Sequence, residues 1–329
     1  MHLHSHSRQA ALLAIVALAT GCSSPNGLHL VNDMGDHQSD YNHGTAASWS
    51  VPVAEATYVV RTLGESALVD ALSIKDGAPM ATYRTGQIFY TPVDIQTTKL
   101  QRGQRPFAAW LYTGVDFESS ELDPDPSRRS DRRSSVGFRI GTVGPSALGK
   151  QVHTEWHDFF EMAHPGGWEH QIKDEPGLLL TADRDWRFDF RELSNSGEWQ
   201  LDTALNTGAS LGNIRTEARL GGRIRLGNSL DRSWSSLSAV GLTLPKSGID
   251  WEFFVNAESH LVAQDIFLDG NTFKSSHSVE KNPLVSEIGI GVTAKLPWFS
   301  VTIGHFLRSE EFELQDGPTP IWTLDLRSL

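Results

Sequence analysis

The chain has 329 residues, 40 of them acidic and 28 basic, for a formal net charge of −12. That excess of negative charge argues against a nucleic-acid partner and suits recruitment of divalent cations. With Cys22 as the only cysteine, an intramolecular disulfide, a thiolate metal cluster and dithiol redox chemistry are excluded, so any catalysis must run on histidine, carboxylate, hydroxyl or metal.

The N-terminus reads as an export signal. His2, His4, His6 and Arg8 form a polar head, Ala10 to Ala19 is apolar but too short to span a bilayer, and Ala19-Thr20-Gly21-Cys22 follows directly. Small residues before a cysteine resemble a bacterial lipobox. Residues 1–21 are therefore expected to be a lipoprotein-type signal peptide with Cys22 lipidated, and 22–329 a single domain; an ordinary signal peptide cleaved nearby is the alternative.

Beyond Cys22 no stretch approaches the length of a transmembrane helix. Instead, segments of about ten residues alternate apolar and polar between clusters of Gly, Pro, Asp, Asn and Ser, the pattern of strands with one wet face and one apolar face. Candidate strands fall at 28–33, 44–51, 55–63, 80–90, 106–117, 134–143, 177–190, 199–211, 214–226, 250–260, 284–296, 298–307 and 320–327. In 217–226, Glu217, Arg219, Arg223 and Arg225 share one face while Leu220, Ile224 and Leu226 share the other. In the last strand Trp322, Leu324 and Leu326 oppose Thr323, Asp325 and Arg327. A soluble two-sheet protein would alternate in the same way, but joined to an export signal the pattern predicts an all-β fold, an antiparallel transmembrane barrel of about 12 strands.

Three inserts interrupt the strands. Asn32-Asp33, followed by Gly35, Asp36, Asp40, Tyr41, Asn42 and Gly44, is an oxygen-rich turn that either simply turns or offers calcium ligands, without EF-hand spacing. Glu118 to Ser135 reads as a loop whose Arg128, Arg129, Arg132 and Arg133 are either solvated or contact phosphorylated headgroups. Pro145 to Met162 reads as a helix on which His153, His157 and Glu161, each four apart, lie near one face. That spacing admits a packed histidine pair, a zinc site, or a histidine acting as general base.

Taken in order, these pieces resemble one family. They are Asn32-Asp33, Asp40-Tyr41 and Gly44; Gln87 with Tyr90-Thr91-Pro92; Arg105-Pro106-Phe107-Ala108; Gly141 to Pro145 and Gly149; His157; Gly167-Trp168 and Gln171; Asp174 to Gly177; Gly221 to Gly227; and Phe267 to Asn271. The chain is similar over nearly its whole mature length to the outer-membrane lipid A 3′-O-deacylases of Gram-negative bacteria. The resemblance implies a monomeric twelve-stranded barrel with its site between the wall and a helix in an extracellular loop. It implies calcium as cofactor, lipid A of lipopolysaccharide as substrate, His157 as the base that activates water, and Asn32 and Asp33 at the metal. Asn42 stands where the family commonly has threonine, and keeps an oxygen while adding donors. No clear equivalent follows Tyr90-Thr91-Pro92 for a lysine found in some members. A broader phospholipid acyl hydrolase and a catalytically silent barrel or narrow pore are the rival readings.

Overall fold

Alternation of this kind forms a sheet only if every strand finds two partners or an edge. In the computed structural model, which describes residues 42–73, 79–121, 131–194, 199–232, 234 and 248–328, eleven strands form one antiparallel meander whose spatial order is the chain order. They are β1 Asn42–Pro52, β2 Met80–Tyr90, β3 Ala108–Glu121, β4 Arg132–Val143, β5 Glu175–Glu192, β6 Gln200–Leu211, β7 Arg215–Gly227, β8 Asp250–Asp265, β9 Leu284–Lys295, β10 Phe299–Arg308 and β11 Thr319–Ser328. No described helix is long and apolar enough to cross a membrane, a test that strands do not enter. Among the described residues β1 pairs with β2 and β11 with β10. The sheet nevertheless curls on itself, because Arg84 of β2 interacts electrostatically with Asp325 of β11 and Glu118 of β3 with Arg327.

The two faces of this curled sheet differ as the alternation predicts. Inward, Arg133 pairs with Glu118 and Asp185, Arg187 with Asp131 and Asp202, and Arg225 with Asp202 and Glu252, so charges link strand to strand across the interior. Outward, Leu220, Ile224, Phe253, Ile288, Ile290, Val292 and Ile303 are exposed. An apolar outer wall around a polar interior is the inverse of a soluble barrel and is what a bilayer requires.

Four expectations need correction or limitation. Residues 55–63 are not a strand: a 3-10 turn at Val53–Glu55 leads into helix α1, Tyr58–Gly64, and then α2, Ala67–Leu72, whose N-cap Ser66 accepts from the Val69 N–H. β-branched Val59, Val60 and Thr62 favour a strand by propensity, but tertiary packing overrides it, since Val53, Val69, Val60 and Leu63 cover Val115, Phe117 and Val136. The segment 118–135 is less of a loop than expected, because β3 runs on to Glu121 and β4 starts at Arg132. Arg132 and Arg133 are consequently paired strand residues, bound to Glu121 and to Glu118 with Asp185, and Arg128 and Arg129 lie outside the described residues. The segment 28–33 also lies outside them, so eleven strands are described where about twelve were expected.

Candidate active site

At one end of the sheet, which holds Tyr90, the start of β3 and the end of β4, the chain leaves the wall between β4 and β5 to build helix α3, Gly149–Phe159. Entry is tight. Gly144 adopts a φ of 88°, and a Cβ there would come within 2.5 Å of the Lys173 backbone. Pro145 opens a short 3-10 turn, as its fixed φ favours. At Gly149 a Cβ would lie 2.4 Å from the Ala109 Cβ and 2.6 Å from the Trp168 ring, so only glycine lets the helix approach the wall this closely. Gln87 donates its Nε2–H to the Ala147 carbonyl at 2.5 Å. The wall residues in this contact, Gln87, Phe89 and Ala109, alternate with the inward-facing Tyr90 and Trp110. α3 therefore lies on the outer face of the barrel wall, not in its lumen.

Beneath α3 the two histidines form one hydrogen-bonded chain. Their Nε2 atoms are 2.9 Å apart; His157 Nδ1 is 2.5 Å from the Ala163 carbonyl oxygen, and Trp168 donates its Nε1–H to His153 Nδ1 at 3.2 Å. The two ends determine the tautomers. A carbonyl only accepts, so His157 carries its proton on Nδ1; an indole N–H only donates, so His153 is bare on Nδ1. With both rings neutral, His153 Nε2–H must donate to the lone pair of His157 Nε2, and the contact agrees. His153 is 1% exposed and His157 8%. The ring of Phe89 lies 5.1 Å from that of His153, and Trp168 packs edge-on to Phe89 and against Phe107. Two ring nitrogens bridging a tetrahedral zinc would sit roughly 3.3 Å apart, so the shorter separation suits a shared proton.

Of the other expected site residues, Glu161 does not join this face: α3 ends at Phe159, and Glu161 adopts a φ of 54° in the turn that brings Ala163 back to His157. Asn42 begins β1 opposite Tyr90, at the same end of the sheet as α3. Asn32, Asp33 and Cys22 lie outside the described residues. Among the described residues no three His, Cys, Asp or Glu side chains gather to hold a metal. Calcium takes several oxygen ligands, and the crevice contributes imidazoles, so the described residues by themselves do not fit it.

The sequence reading missed Trp168 and the Ala163 carbonyl as partners of the histidines; neither carries a periodic or spacing signal. It also missed that Gly208-Ala209-Ser210-Leu211-Gly212 matches the serine-hydrolase pattern. The pattern carries no elbow here, because Ser210 ends a β-strand that turns into another strand. Its hydroxyl accepts from Arg219 on the lumen side, across the wall from His157.

Other pieces of the sequence pattern tie the loops around α3. Arg105 is buried against Glu311 at 2.6 Å, with its guanidinium 5.0 Å over the Tyr90 ring. Burial alone would raise the Glu311 carboxyl, but Arg105, Arg308 and Arg215 outweigh it and hold it down at about 2. Glu175 accepts the backbone N–H groups of Thr272 and Phe273, and Asn271 pairs both ways with the Lys173 backbone.

A family model described as outer membrane protein LpxR matches residues 9–326. A solved structure titled LpxR from Salmonella typhimurium superposes with a TM-score of 0.68 at 20% identity, covering 89% of this chain and 90% of that one. No curated protein matches the sequence.

Proposed function

This chain belongs to the LpxR outer membrane protein family, and we propose that it hydrolyses the ester holding the 3′-linked acyloxyacyl chain of lipid A, acting as a monomer in the outer membrane. The observation that carries this reading is the position of His157, buried between α3 and the outward face of β2 and β3. A base in the lumen would meet soluble molecules. A base on the outer wall meets what the bilayer brings to it, and the ester bonds of lipid A lie at the boundary between sugar headgroup and acyl chains.

In the proposed reaction, water gives a proton to His157 Nε2 as its oxygen adds to the ester carbonyl. The tetrahedral intermediate then releases the sugar hydroxyl, which takes the proton back, and a free carboxylic acid leaves. His157 Nδ1–H stays on the Ala163 carbonyl throughout, which keeps Nε2 as the basic nitrogen and steadies the imidazolium. The lone pair that must take the proton is the one His153 occupies, so water enters by displacing the His153 Nε2–H. Asn32 and Asp33 are the proposed calcium ligands, with Asn42 beside the substrate; a bound divalent cation would supply positive charge for the developing oxyanion.

The test is mass spectrometry of lipid A incubated with the purified wild type and His157→Ala, each with calcium and with chelator, and with phospholipid offered in parallel. The expected result is loss of the acyloxyacyl mass with wild type and calcium alone. Unchanged lipid A in every arm, with the barrel shown to be folded, would sink the hydrolase reading. Release of fatty acid from phospholipid at an equal rate would replace it with a broader lipid hydrolase.

A further inference from the structure

The helices α1 and α2 leave the wall at the end opposite α3, between β1 and β2. Their place is on the outside of the barrel. The side chains they cover, Val115 and Phe117 on β3 and Val136 on β4, belong to the outward set, whose counterparts on β7 to β10 are exposed. Arg184, also on the outward face of β5, donates to the Leu72 carbonyl at the end of α2, so the hairpin caps an arginine that the wall would otherwise turn towards lipid. A segment lying over the lipid face of a barrel must itself meet lipid, and its exposed surface combines charged Glu55, Arg61, Glu65 and Asp70 with large apolar side chains, as an interfacial segment's does. Tyr58 and Val59 are each 74% exposed and Leu68 46%.

The rim at this end is also marked elsewhere by aromatic residues. Trp199 before β6 and Trp298 before β10 are exposed, and Trp199 packs edge-on to Trp251 at the start of β8. Such rings sit at the headgroup level of a membrane. Tyr58 adds a further exposed ring over the sector of β3 and β4, beside Phe188 of β5, which is also exposed.

We infer that the α1–α2 hairpin is an interfacial membrane anchor, inserting Tyr58, Val59 and Leu68 into the headgroup and glycerol layer of the leaflet opposite the one that faces α3. The occupant of this surface is lipid. The sector of wall that carries the histidine crevice at one rim is thereby gripped at the other, which fixes the depth and tilt at which the crevice meets its leaflet. This inference rests on the membrane barrel and is independent of the hydrolase reading.

The experiment places a nitroxide at Val59→Cys and, separately, at Leu68→Cys in the full chain in lipid vesicles, with the labelled wild type as background. Leu220→Cys on the bare wall and Glu280→Cys in a loop serve as references, and folding is checked by heat-modifiable gel mobility. Oxygen-to-nickel-chelate accessibility severalfold above the Glu280→Cys reference is expected at both hairpin positions, approaching the value at Leu220→Cys. Ratios equal to the loop reference would overturn the inference in favour of a water-facing hairpin. Shielding from both reagents would overturn it in favour of a protein partner or a second copy of this chain.

Discussion

The barrel holds histidines in two contrasting settings. His260, on the inward face of β8, lies between Glu217 and Glu258 at 3.2 and 3.1 Å, inside a lattice that continues through Arg219 to Asp183. His153 and His157, on the outer side of the wall, have an indole, a carbonyl and each other among their hydrogen-bond partners. The lumen surrounds its ring with fixed charges that lock strands together; the outer crevice links two rings through a single ring-to-ring hydrogen bond. Structure-holding and proton-moving chemistry are thus separated by the thickness of one sheet, and variants on the two sides should fail in different ways.

The largest effect is expected at the crevice. His157→Ala should lower lipid A deacylation by about 10²- to 10⁴-fold, the usual contribution of a general base, while heat-modifiable mobility stays that of the wild type. Chelation should remove activity to a similar extent, with calcium restoring it better than magnesium, which prefers a more rigid octahedral shell; full activity in chelator would remove the metal from the mechanism.

On the lumen side, Glu311→Gln should leave Arg105 buried without its counter-charge and cost about 3–5 kcal/mol of stability, read as a lowered unfolding temperature. The pH dependence has a definite sign. With its folded pKa depressed to about 2, the Glu311 carboxylate contributes stability that is fully present above its unfolded value of 4.5 and is lost as pH falls towards 2. Wild type and Glu311→Gln should therefore converge in stability on acidification, and a constant gap from pH 7 to pH 3 would contradict the pairing.

The smallest effect sharpens the contrast within the crevice itself. His153→Ala removes the donor that water must displace from His157 Nε2 but leaves the Ala163 contact, so activity should rise by up to about tenfold, the equivalent of one hydrogen bond. His153→Gln keeps an N–H donor and should stay near the wild type. An equal change in both variants would mean that His153 fills space and does not hold the Nε2 lone pair.

Much of this was legible in the chain. The ion pairs of Arg219 and Arg225 and the exposure of Leu220 and Ile224 follow from alternation alone, because the side-chain period of a strand is two. His157 could be singled out because a helix among strands is an interruption. The hairpin at 53–72 was not legible, since Tyr58, Val59 and Val60 favour strand locally and only the wall beneath them makes a helix the better cover. The reach of β3 and β4 into an apparent loop was hidden too, because Arg132 and Arg133 look solvated until Glu121, Glu118 and Asp185 are placed beside them.

By itself the sequence determined which residues face apart on each strand, that the chain breaks into a helix around His157, and that one cysteine excludes an intramolecular disulfide and dithiol chemistry, since these depend on local period and composition. Only the tertiary structure decided that α3 and the α1–α2 hairpin lie on the outside of the wall and that Trp168 and Ala163 assign the protons of His153 and His157. A helix has no preferred side of a sheet until the sheet curls. A tautomer is likewise set by partners that sequence separation does not reveal, here 15 residues from Trp168 to His153 and 6 from Ala163 to His157.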